Sequence, residues 1–464
     1  NCIEFVEIYI SCAKAGLVAV PINFRLNEKE ILFIIKNSDS KLIITEEKFI
    51  ETIDLIRPSL ITQGWQSNSF LQIKHRVNSN FLSYEDLIFT GSNKTLKVNI
   101  SDHDPWLILY TSGTTGTSKG VIRSHLSYTA FFLINAAEFG FTINDYGFTT
   151  MPLSHVNSTF YGFVFTYLGA SVFIGKEYSF NAKEFLKIVD REKITFTSLI
   201  PSHYQIIFSL AEDFTNKIDR SSLTKLLTSS APVRRKTKLK IMKFFPNARL
   251  FEAYGSTEAG LVTILRPEEQ LEKLGSIGRE CIGSDNIKIL DPETQKPVPE
   301  GEIGELFSRS PMMFTKYNKL PEKTKESLLK DGYFSAGDMA RRDQHGYYYL
   351  VDRKNNMIIT GGENVYPSEI ETAVTQHEGV LDCAALGLPD KKWGEIITAV
   401  IIPEDSNKAN LTGDEIITFC KSKLSSFKVP KKVIFTSMAE MPRTASGKIL
   451  HRKLRERYSE LDEE

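Results

Sequence analysis

The sequence lacks a net charge, a paired cysteine motif and a long uninterrupted apolar run. Its 464 residues include 57 Lys or Arg and 57 Asp or Glu, which balance to zero. Because such a chain has no global basic field, we expect no nucleic-acid partner. The five cysteines are scattered and form no CxxC pair. That scatter fits neither a disulfide framework nor a zinc knuckle, and free thiols suit a reducing compartment, which predicts a cytoplasmic protein.

One uncharged segment, residues 156–175, has about the length of a membrane span. Several Asn, Ser, Thr and Gly residues interrupt it, so it is too polar for a typical span. We predict instead a buried helix that ends near Gly169, followed by a strand at 170–174. The sequence therefore predicts a soluble protein without a transmembrane segment.

What the sequence does contain is an alternation of short strands and longer helical patterns. Runs rich in β-branched and aromatic residues lie at 41–45, 106–110, 171–174 and 196–200, each followed by turn residues and a helix-like stretch. This alternation favours an α/β fold with largely parallel strands. At about 150 residues per domain, the length allows two to four domains.

Two later segments depart from that alternation. Residues 283–309 read as strand and turn only, which predicts a small β-rich subdomain. The clearest boundary lies near 352–356. After it, a strand at 357–359, a Gly-Gly turn and a helix starting at Pro367 predict a compact α+β unit.

The strongest local signal is the loop at 111–120, which follows the predicted strand at 106–110. It consists almost entirely of Gly, Ser and Thr, with the single lysine Lys119. Glycines allow close approach to a ligand, hydroxyl and N–H groups donate to phosphate oxygens, and the lysine adds positive charge. It is not a Walker loop, because Ser118 stands where that motif requires Gly. We predict a phosphate-binding loop rather than a surface loop.

Other candidate residues have ordinary explanations when each is taken alone. Tyr254 is explained as a core aromatic, Asp338 as a helix cap and Arg353 as a member of a surface ion pair. Lys448 lies in the segment 443–457, where six Lys or Arg face one acidic residue. Taken alone, that segment predicts a solvated basic helix.

Five motifs in a fixed order change this interpretation. They are the loop at 111–120, Tyr-Gly-Ser-Thr-Glu at 254–258, Gly-Glu-Ile-Gly-Glu-Leu at 301–306, Tyr-Phe-Ser-Ala-Gly-Asp at 333–338 with Asp-Arg at 352–353, and Pro-Arg-Thr-Ala-Ser-Gly-Lys at 442–448. Together they resemble the adenylate-forming (AMP-binding) enzymes, which include acyl-CoA synthetases, adenylation domains of peptide synthetases and beetle luciferases. The resemblance covers nearly the whole chain and points to the acyl-CoA synthetase and carnitine-CoA ligase branch.

The resemblance implies two domains. Residues 1–354 would form a large N-terminal domain of layered αβ sheets with a β-rich subdomain, truncated at its start relative to the family. Residues 355–464 would form a small, mobile α+β domain. Asn355 occupies the hinge, where the family commonly has Asp or Lys; asparagine enters the left-handed region readily, so a hinge role is retained.

The implied chemistry is ATP-dependent activation of a small carboxylic acid. The acid attacks the α-phosphate of ATP, pyrophosphate leaves, and the acyl-adenylate passes its acyl group to CoA. ATP, Mg²⁺ and CoA are the implied cosubstrates and cofactor, and a homodimer is left open. The alternatives are an enzyme that loads a carrier protein, a luciferase-like oxidase and a catalytically silent ATP-binding homologue.

The resemblance also assigns roles to individual residues. Glu258 would hold Mg²⁺ and Thr257 would contact the α-phosphate, while Asp338 would accept both ribose hydroxyls and Arg353 would contact the ribose from the other side. Lys448 would bridge the substrate carboxylate and the α-phosphate. Tyr254 would pack against the adenine, and the adenine turn, formed by Ser230, Ala231 and Pro232, would line the base. The remaining nucleotide-binding set is Thr111, Ser112, Gly113, Thr114, Thr115, Gly116, Lys119, Glu252, Ala253 and Gly255.

The acyl and thiol sites are assigned in the same way. His155 would be a gate and orienting group rather than a base, because carboxylates are already ionised at neutral pH; a core histidine is the alternative. The segment 151–175 contains no Asp or Glu to pair with an amino-acid ammonium. A fatty or aromatic acid is therefore expected.

The thiol path is assigned to a Gly-Gly turn. Gly361, Gly362 and Glu363 would line the pantetheine path, or else form a plain hairpin turn.

Overall fold

The structure is a computed structural model that describes residues 1–73, 80–94, 96–111, 118–176, 179–229, 233, 235–404, 411–443 and 449–459. This part of the chain contains fourteen α-helices and twenty-two β-strands. The helices are α1 (Ile3–Ala15), α2 (Glu28–Asn37), α3 (Ile50–Ile61), α4 (Tyr84–Thr90), α5 (His125–Phe139), α6 (Val156–Tyr167), α7 (Ala182–Glu192), α8 (Pro201–Phe208), α9 (Glu212–Thr215), α10 (Arg235–Phe244), α11 (Pro321–Glu326), α12 (Pro367–Val374), α13 (Gly413–Lys421) and α14 (His451–Ser459).

The strands are β1 (Ile43–Thr45), β2 (Phe70–Gln72), β3 (Leu82–Ser83), β4 (Pro105–Thr111), β5 (Lys119–Ser124), β6 (Tyr146–Thr149), β7 (Ser171–Ile174), β8 (Phe196–Leu199), β9 (Lys225–Thr228), β10 (Arg249–Ser256), β11 (Gly260–Leu265), β12 (Arg279–Glu280), β13 (Lys288–Leu290), β14 (Gly304–Phe307), β15 (Lys316–Tyr317), β16 (Asp338–Arg342), β17 (Tyr348–Arg353), β18 (Ile358–Thr360), β19 (Glu363–Val365), β20 (Val380–Asp390), β21 (Gly394–Pro403) and β22 (Lys432–Phe435).

The largest sheet has the strand order β12-β11-β10-β9-β8-β6-β7. From β7 to β10 all neighbouring strands are parallel, whereas β11 and β12 are antiparallel to their neighbours. β8 is buried along its whole length, as strands are when helices cover both faces of a parallel sheet. The prediction of an α/β fold with largely parallel strands is confirmed for this sheet.

The uncharged segment at 156–175 is a helix followed by a strand, as predicted. α6 ends two residues before Gly169, and β7 follows it. The α6 side chains at 158–165 are all buried, and Phe160 stacks on Phe131 of α5 with ring centroids 3.6 Å apart. No helix within the described ranges is long and apolar enough to cross a membrane.

The strand that precedes the Ser/Thr-rich loop belongs to a different, antiparallel sheet with the order β15-β5-β4. The expectation that residues 106–110 lead into a helix is therefore wrong. The chain returns as β5, and a helix begins only at His125. A Cβ at Gly120 would lie 2.9 Å from a side-chain carbon of Ile108, so glycine is needed where β5 passes β4.

Residues 283–309 contain strands and no helix, as predicted. Their strands β13 and β14 belong to an antiparallel sheet with the order β13-β14-β16-β17, which extends beyond the predicted segment to Arg353. Its register places Asp338, the first residue of β16, opposite Arg353, the last residue of β17. Two residues expected to contact the same ribose therefore face each other across one strand pair.

The C-terminal part forms its own sheet, β19-β18-β21-β20, with β22 added in parallel to β21. β18 and α12 lie within one residue of the strand and helix predicted at 357–359 and Pro367. A separate hydrophobic core fills this unit, with Ile358, Val365, Ile370, Val374, Ile397, Ile401 and Ile416 among its members. A hydrophobic core of its own is what an independent domain requires. The exact domain boundary at Asn355 stays a prediction.

Candidate active site

The 254–258 motif lies at the turn between β10 and β11. A Cβ at Gly255 would lie 2.1 Å from the carbonyl oxygen of Gly260, so only glycine lets the two strands approach this closely. The chain therefore carries Thr257 and Glu258 on a tight hairpin, whose position is fixed by the neighbouring strands of the large sheet.

Three predicted nucleotide-binding residues meet at one carboxylate. The Tyr254 hydroxyl donates to Asp338 Oδ2 over 2.5 Å, and Arg353 Nε lies 2.6 Å from Asp338 Oδ1. Arg353 Nη1 also donates to the carbonyl oxygen of Ala336 over 2.7 Å. Burial is the largest influence on Arg353 and opposes its charge, but Asp338 and the weaker effects of Tyr254, Glu258 and Asp352 together outweigh it, and the pKa of Arg353 is raised. The structure thus joins three separate chain segments around the buried carboxylate of Asp338.

Lys119 and Glu258 both contact Tyr317 of β15, a residue that sequence reasoning missed. The Tyr317 hydroxyl donates to Glu258 Oε1 over 2.8 Å, and Lys119 Nζ lies 5.3 Å from the ring centroid. Lys119 pairs with Thr111 across β4 and β5, and burial lowers the pKa of its ammonium. Tyr317 is 59 residues from Glu258 along the chain, so no local pattern could have indicated the contact.

Several predicted residues lie outside the described part of the chain. Thr111 and Lys119 mark the two ends of the predicted phosphate loop, and the residues between them include five predicted contacts. The predicted adenine turn and the C-terminal lysine are also outside it. The roles of these residues stay predictions: Ser112, Gly113, Thr114, Thr115, Gly116, Ser230, Ala231, Pro232 and Lys448.

Glu252 forms a buried ion pair that the sequence did not indicate. Its Oε2 lies 2.6 Å from Nζ of Lys238, whose side chain is fully buried. The N–H of Val233 donates to Glu252 Oε1 over 3.4 Å. Burial raises the pKa of Glu252, and the charge of Lys238 works against that shift. The Glu252 carboxylate therefore joins Val233 to β10 as well as forming the ion pair with Lys238.

Replacing Lys238 with methionine is expected to lower the free energy of unfolding by about 3–5 kcal/mol, because the buried Glu252 carboxylate would lose its counter-charge. Chemical denaturation measures this loss. Lys236, exposed on the same helix, is the matched control, and K236M should change stability by no more than about 0.5 kcal/mol. Equal stabilities of the two variants would contradict the prediction.

His155 lies at the N-terminus of α6, close to a small polar network. Its Nδ1 accepts from the N–H of Asn157 over 3.4 Å. Asn157 Nδ2 donates to the hydroxyl oxygens of Ser198 over 3.0 Å and Ser229 over 3.2 Å. The two serines lie at the carboxyl ends of β8 and β9, where ligands of parallel sheets commonly bind. A gating role of His155 stays a prediction.

The predicted pantetheine path begins at a hairpin turn between β18 and β19. Gly361 and Gly362 both have positive φ angles, 61° and 85°, and Glu363 begins β19. A Cβ at Gly361 would lie 2.9 Å from the ring of Trp393, which is 40% exposed. Lys431 Nζ lies 3.3 Å from the centre of that ring. The sequence did not indicate Trp393 or Lys431.

The predicted hinge residue Asn355 lies in a short 3-10 helix, Lys354–Asn356, between β17 and β18. Just before it, Asp352 accepts from the N–H of Ser368 and from Asn356 Nδ2, both over 3.0 Å. These bonds join the end of β17 to the start of α12. A hinge role of Asn355 stays a prediction.

His451 begins α14, three residues after Lys448, and pairs with α12. Its Nε2 lies 2.7 Å from Glu371 Oε1, and Glu371 also accepts from the N–H of Ala385. Burial works against protonation of the imidazole, but Glu371 and then Asp352 outweigh it, and the pKa of His451 is raised. The pair therefore ties the chain that follows the predicted lysine loop to α12.

This pair should make stability depend on pH. Because the folded pKa of His451 lies above the unfolded value of about 6.5, its stabilisation is complete below that value and is lost as pH rises through the folded pKa. Denaturation of H451Q and the unmodified chain at several pH values should therefore show a difference that shrinks with increasing pH. In an E371Q background burial opposes protonation of His451 without its main counter-charge, so the slope should disappear or change sign. A slope of the original sign and size there would contradict the assignment.

The donor set fits a magnesium ion that binds together with a phosphate ligand. Mg²⁺ prefers hard oxygen ligands and is commonly held by one or two carboxylates plus substrate phosphates. Glu258 supplies such a carboxylate. Among the residues that the structure describes, no group of three or more His, Cys, Asp or Glu could hold a metal alone. An ion at this site would be held by Glu258 and the phosphates jointly.

The fold is that of a layered α/β enzyme with a separate C-terminal unit, and comparison with known proteins identifies its family. The profile of the AMP-binding enzymes matches residues 1–318, and that of the AMP-binding enzyme C-terminal domain matches residues 369–448. The chain belongs to the AMP-binding enzyme family.

Similar proteins span almost the whole chain. A feruloyl-CoA synthase of Amycolatopsis sp is 32% identical, covering 98% of this chain and 86% of that protein. The long-chain-fatty-acid–CoA ligase FadD13 of Mycobacterium tuberculosis is 30% identical, covering 99% and 87%. The crystal structure of ATP-bound MatB from Rhodopseudomonas palustris superposes with a TM-score of 0.86 at 26% identity, covering 99% and 88%. The chain is an AMP-forming acid–thiol ligase, which activates a carboxylic acid with ATP and transfers the acyl group to CoA.

Proposed function

We propose that the chain converts a fatty or aromatic carboxylic acid into its CoA thioester through an acyl-adenylate. The observation that carries the nucleotide half of this proposal is the contact of Tyr254 and Arg353 with the buried carboxylate of Asp338. A fixed carboxylate can accept two vicinal ribose hydroxyls. The packing of Tyr254 beside it supports a role of that ring in binding the adenine.

The phosphates would lie between the β10–β11 hairpin and the Ser/Thr-rich loop. Thr257 would contact the α-phosphate, and Lys119 would add positive charge at the end of the loop. Mg²⁺, held by Glu258, would neutralise charge on the phosphates. Because this type of transfer depends mainly on positioning and charge neutralisation, Lys448 would act by bridging the acid and the α-phosphate in the transition state.

The acyl class is inferred from what the segment around α6 lacks. Residues 151–175 contain no acidic side chain, and an ammonium group without a partner in apolar surroundings is costly. This disfavours an amino-acid substrate. Both a feruloyl-CoA synthase and a long-chain-fatty-acid–CoA ligase are similar to the chain at 30–32% identity, which supports an aromatic or a fatty acid alike.

The thiol would approach beside the turn at Gly361 and Gly362. The Trp393 ring packs closely against Gly361 and is partly exposed. It therefore offers an apolar surface along which a pantetheine arm could lie. We further propose the division into residues 1–354 and 355–464, with rotation at Asn355 between the two half-reactions. The five cysteines are all free, which supports a cytoplasmic location.

The test is pyrophosphate and AMP release with a panel of fatty, aromatic and amino acids, each with and without CoA. Release with a fatty or aromatic acid and formation of the matching acyl-CoA is the expected result. AMP accumulation without use of CoA would favour a carrier-protein acceptor. ATP binding without pyrophosphate release from any acid would favour a catalytically silent homologue, and turnover restricted to amino acids would overturn the proposed substrate class.

A further inference from the structure

Tyr317 lies between Glu258 and Lys119, two residues of the proposed phosphate site. None of the five sequence motifs includes Tyr317. It lies on β15, the strand that completes the β4–β5 sheet, and its side chain is 6% exposed. Its hydroxyl donates to Glu258 Oε1 over 2.8 Å, and its ring centroid lies 5.3 Å from Lys119 Nζ. One buried tyrosine thus contacts both the carboxylate proposed to hold the metal and the lysine that ends the phosphate loop.

The hydroxyl is a permanent hydrogen-bond donor. A tyrosine hydroxyl carries its proton at neutral pH and can donate it to a carboxylate oxygen. Since a protonated phenol can only donate to a carboxylate, this bond fixes one oxygen of Glu258 and leaves the other for a further ligand.

The backbone around Glu258 is held independently of that bond. The carbonyl oxygen of Glu258 accepts from the N–H of Phe314 over 2.7 Å. The carbonyl oxygen of Thr257 accepts from Nη1 of the fully buried Arg123 over 2.7 Å. With the main chain fixed on both sides, the orientation of the Glu258 side chain is the variable that the Tyr317 hydroxyl controls.

We propose that Tyr317 is a positioning residue for the metal–phosphate site: its hydroxyl orients the Glu258 carboxylate for Mg²⁺, and its ring seats the Lys119 ammonium beside the same phosphates. The proposal rests on the proposed role of Glu258. Groups that orient a metal ligand through hydrogen bonds commonly change metal affinity about 10–100-fold when they are removed. A tyrosine that only filled the core would have no such effect.

Substitution of Tyr317 with phenylalanine removes the hydroxyl and keeps the packed ring, so the fold is retained. The affinity for ATP is measured by titration calorimetry without an acid substrate, once with Mg²⁺ and once with a chelator. Y317F is expected to bind MgATP about tenfold more weakly, whereas its affinity for metal-free ATP should stay within about twofold of the unmodified chain.

Tyr347 provides a matched control. Its hydroxyl donates to Glu269 Oε1 over 2.7 Å, and its side chain is 5% exposed, so Y347F removes the same type of bond outside the proposed site. Y347F should leave both affinities unchanged. If Y317F weakens both forms of ATP equally, or weakens neither, the positioning role is overturned.

The variant E258Q separates this proposal from the function on which it rests. If E258Q weakens MgATP binding but Y317F does not, only the role of Tyr317 is wrong. If neither variant weakens it, the assignment of the metal to Glu258 falls as well. If both weaken it and the double variant is no weaker than E258Q alone, the hydroxyl acts through Glu258, as proposed.

Discussion

Replacement of Lys448 with alanine is expected to slow acyl-adenylate formation about 10²–10³-fold, because a preorganised donor that acts in the transition state contributes that much. Thioester formation from preformed acyl-adenylate and CoA should stay near the unmodified rate, since the proposed contact belongs to the first half-reaction alone. Pyrophosphate release measures the first step, and acyl-CoA formation from synthetic acyl-adenylate measures the second.

Lys453 offers the control for this experiment. It lies on α14 five residues beyond Lys448, and it is exposed. K453A removes one positive charge from the same basic segment and should leave both half-reactions nearly unchanged. Equal loss of both half-reactions in K448A would contradict the proposed role, and equal effects of the two variants would favour a general effect of charge.

Replacement of Asp338 with asparagine should produce the second largest effect, a fall of about 10²-fold in kcat/KM for ATP. The neutral amide cannot balance the charge of the partly exposed Arg353, and a hydrogen bond to a charged group contributes about 1.5–3 kcal/mol. It would also lose an acceptor for the ribose. Steady-state kinetics with varied ATP, together with thermal unfolding, separate a binding defect from a folding defect.

Asp343, which follows the last residue of β16, offers the control for this experiment because, like Asp338, it contacts one basic side chain and one tyrosine hydroxyl. It accepts from Lys273 Nζ over 3.1 Å and from the Tyr349 hydroxyl over 3.3 Å. D343N should therefore lower stability without changing the KM for ATP. A D338N variant that lost stability but kept its kcat/KM for ATP would show that Asp338 only supports the fold.

Local elements of this fold could be predicted because their signals are local. The strand at 171–174 and the helix start at Pro367 follow from runs of β-branched residues and from the helix-start preference of proline. The strand at 106–110 was also predicted correctly, but the chain continues from it into a second strand and not into the expected helix. A Gly-rich loop after a strand is equally compatible with a following helix or strand, and only pairing with distant β15 decides between them.

The side-chain contacts that build the site could be predicted only in part. From the order of the motifs, Tyr254, Asp338 and Arg353 were all predicted to bind the nucleotide. The structure adds that Tyr254 and Arg353 contact Asp338 directly. The burial of Lys238 and its ion pair could not be predicted, because the same helix carries several exposed lysines in similar sequence surroundings. Only the tertiary position of Glu252 distinguishes the buried one.

The last two residues of β17 divide their contacts between two parts of the molecule. Arg353 is bonded to the proposed ribose carboxylate, whereas Asp352 is bonded to the first turn of α12. Neighbouring side chains of a strand point in opposite directions, and a shift of one residue exchanges them. The register at the end of β17 is therefore constrained by both contacts. A single-residue deletion within β17 would exchange the directions of these two side chains, and it should disrupt the contact to the proposed ribose carboxylate and the contact to α12 together.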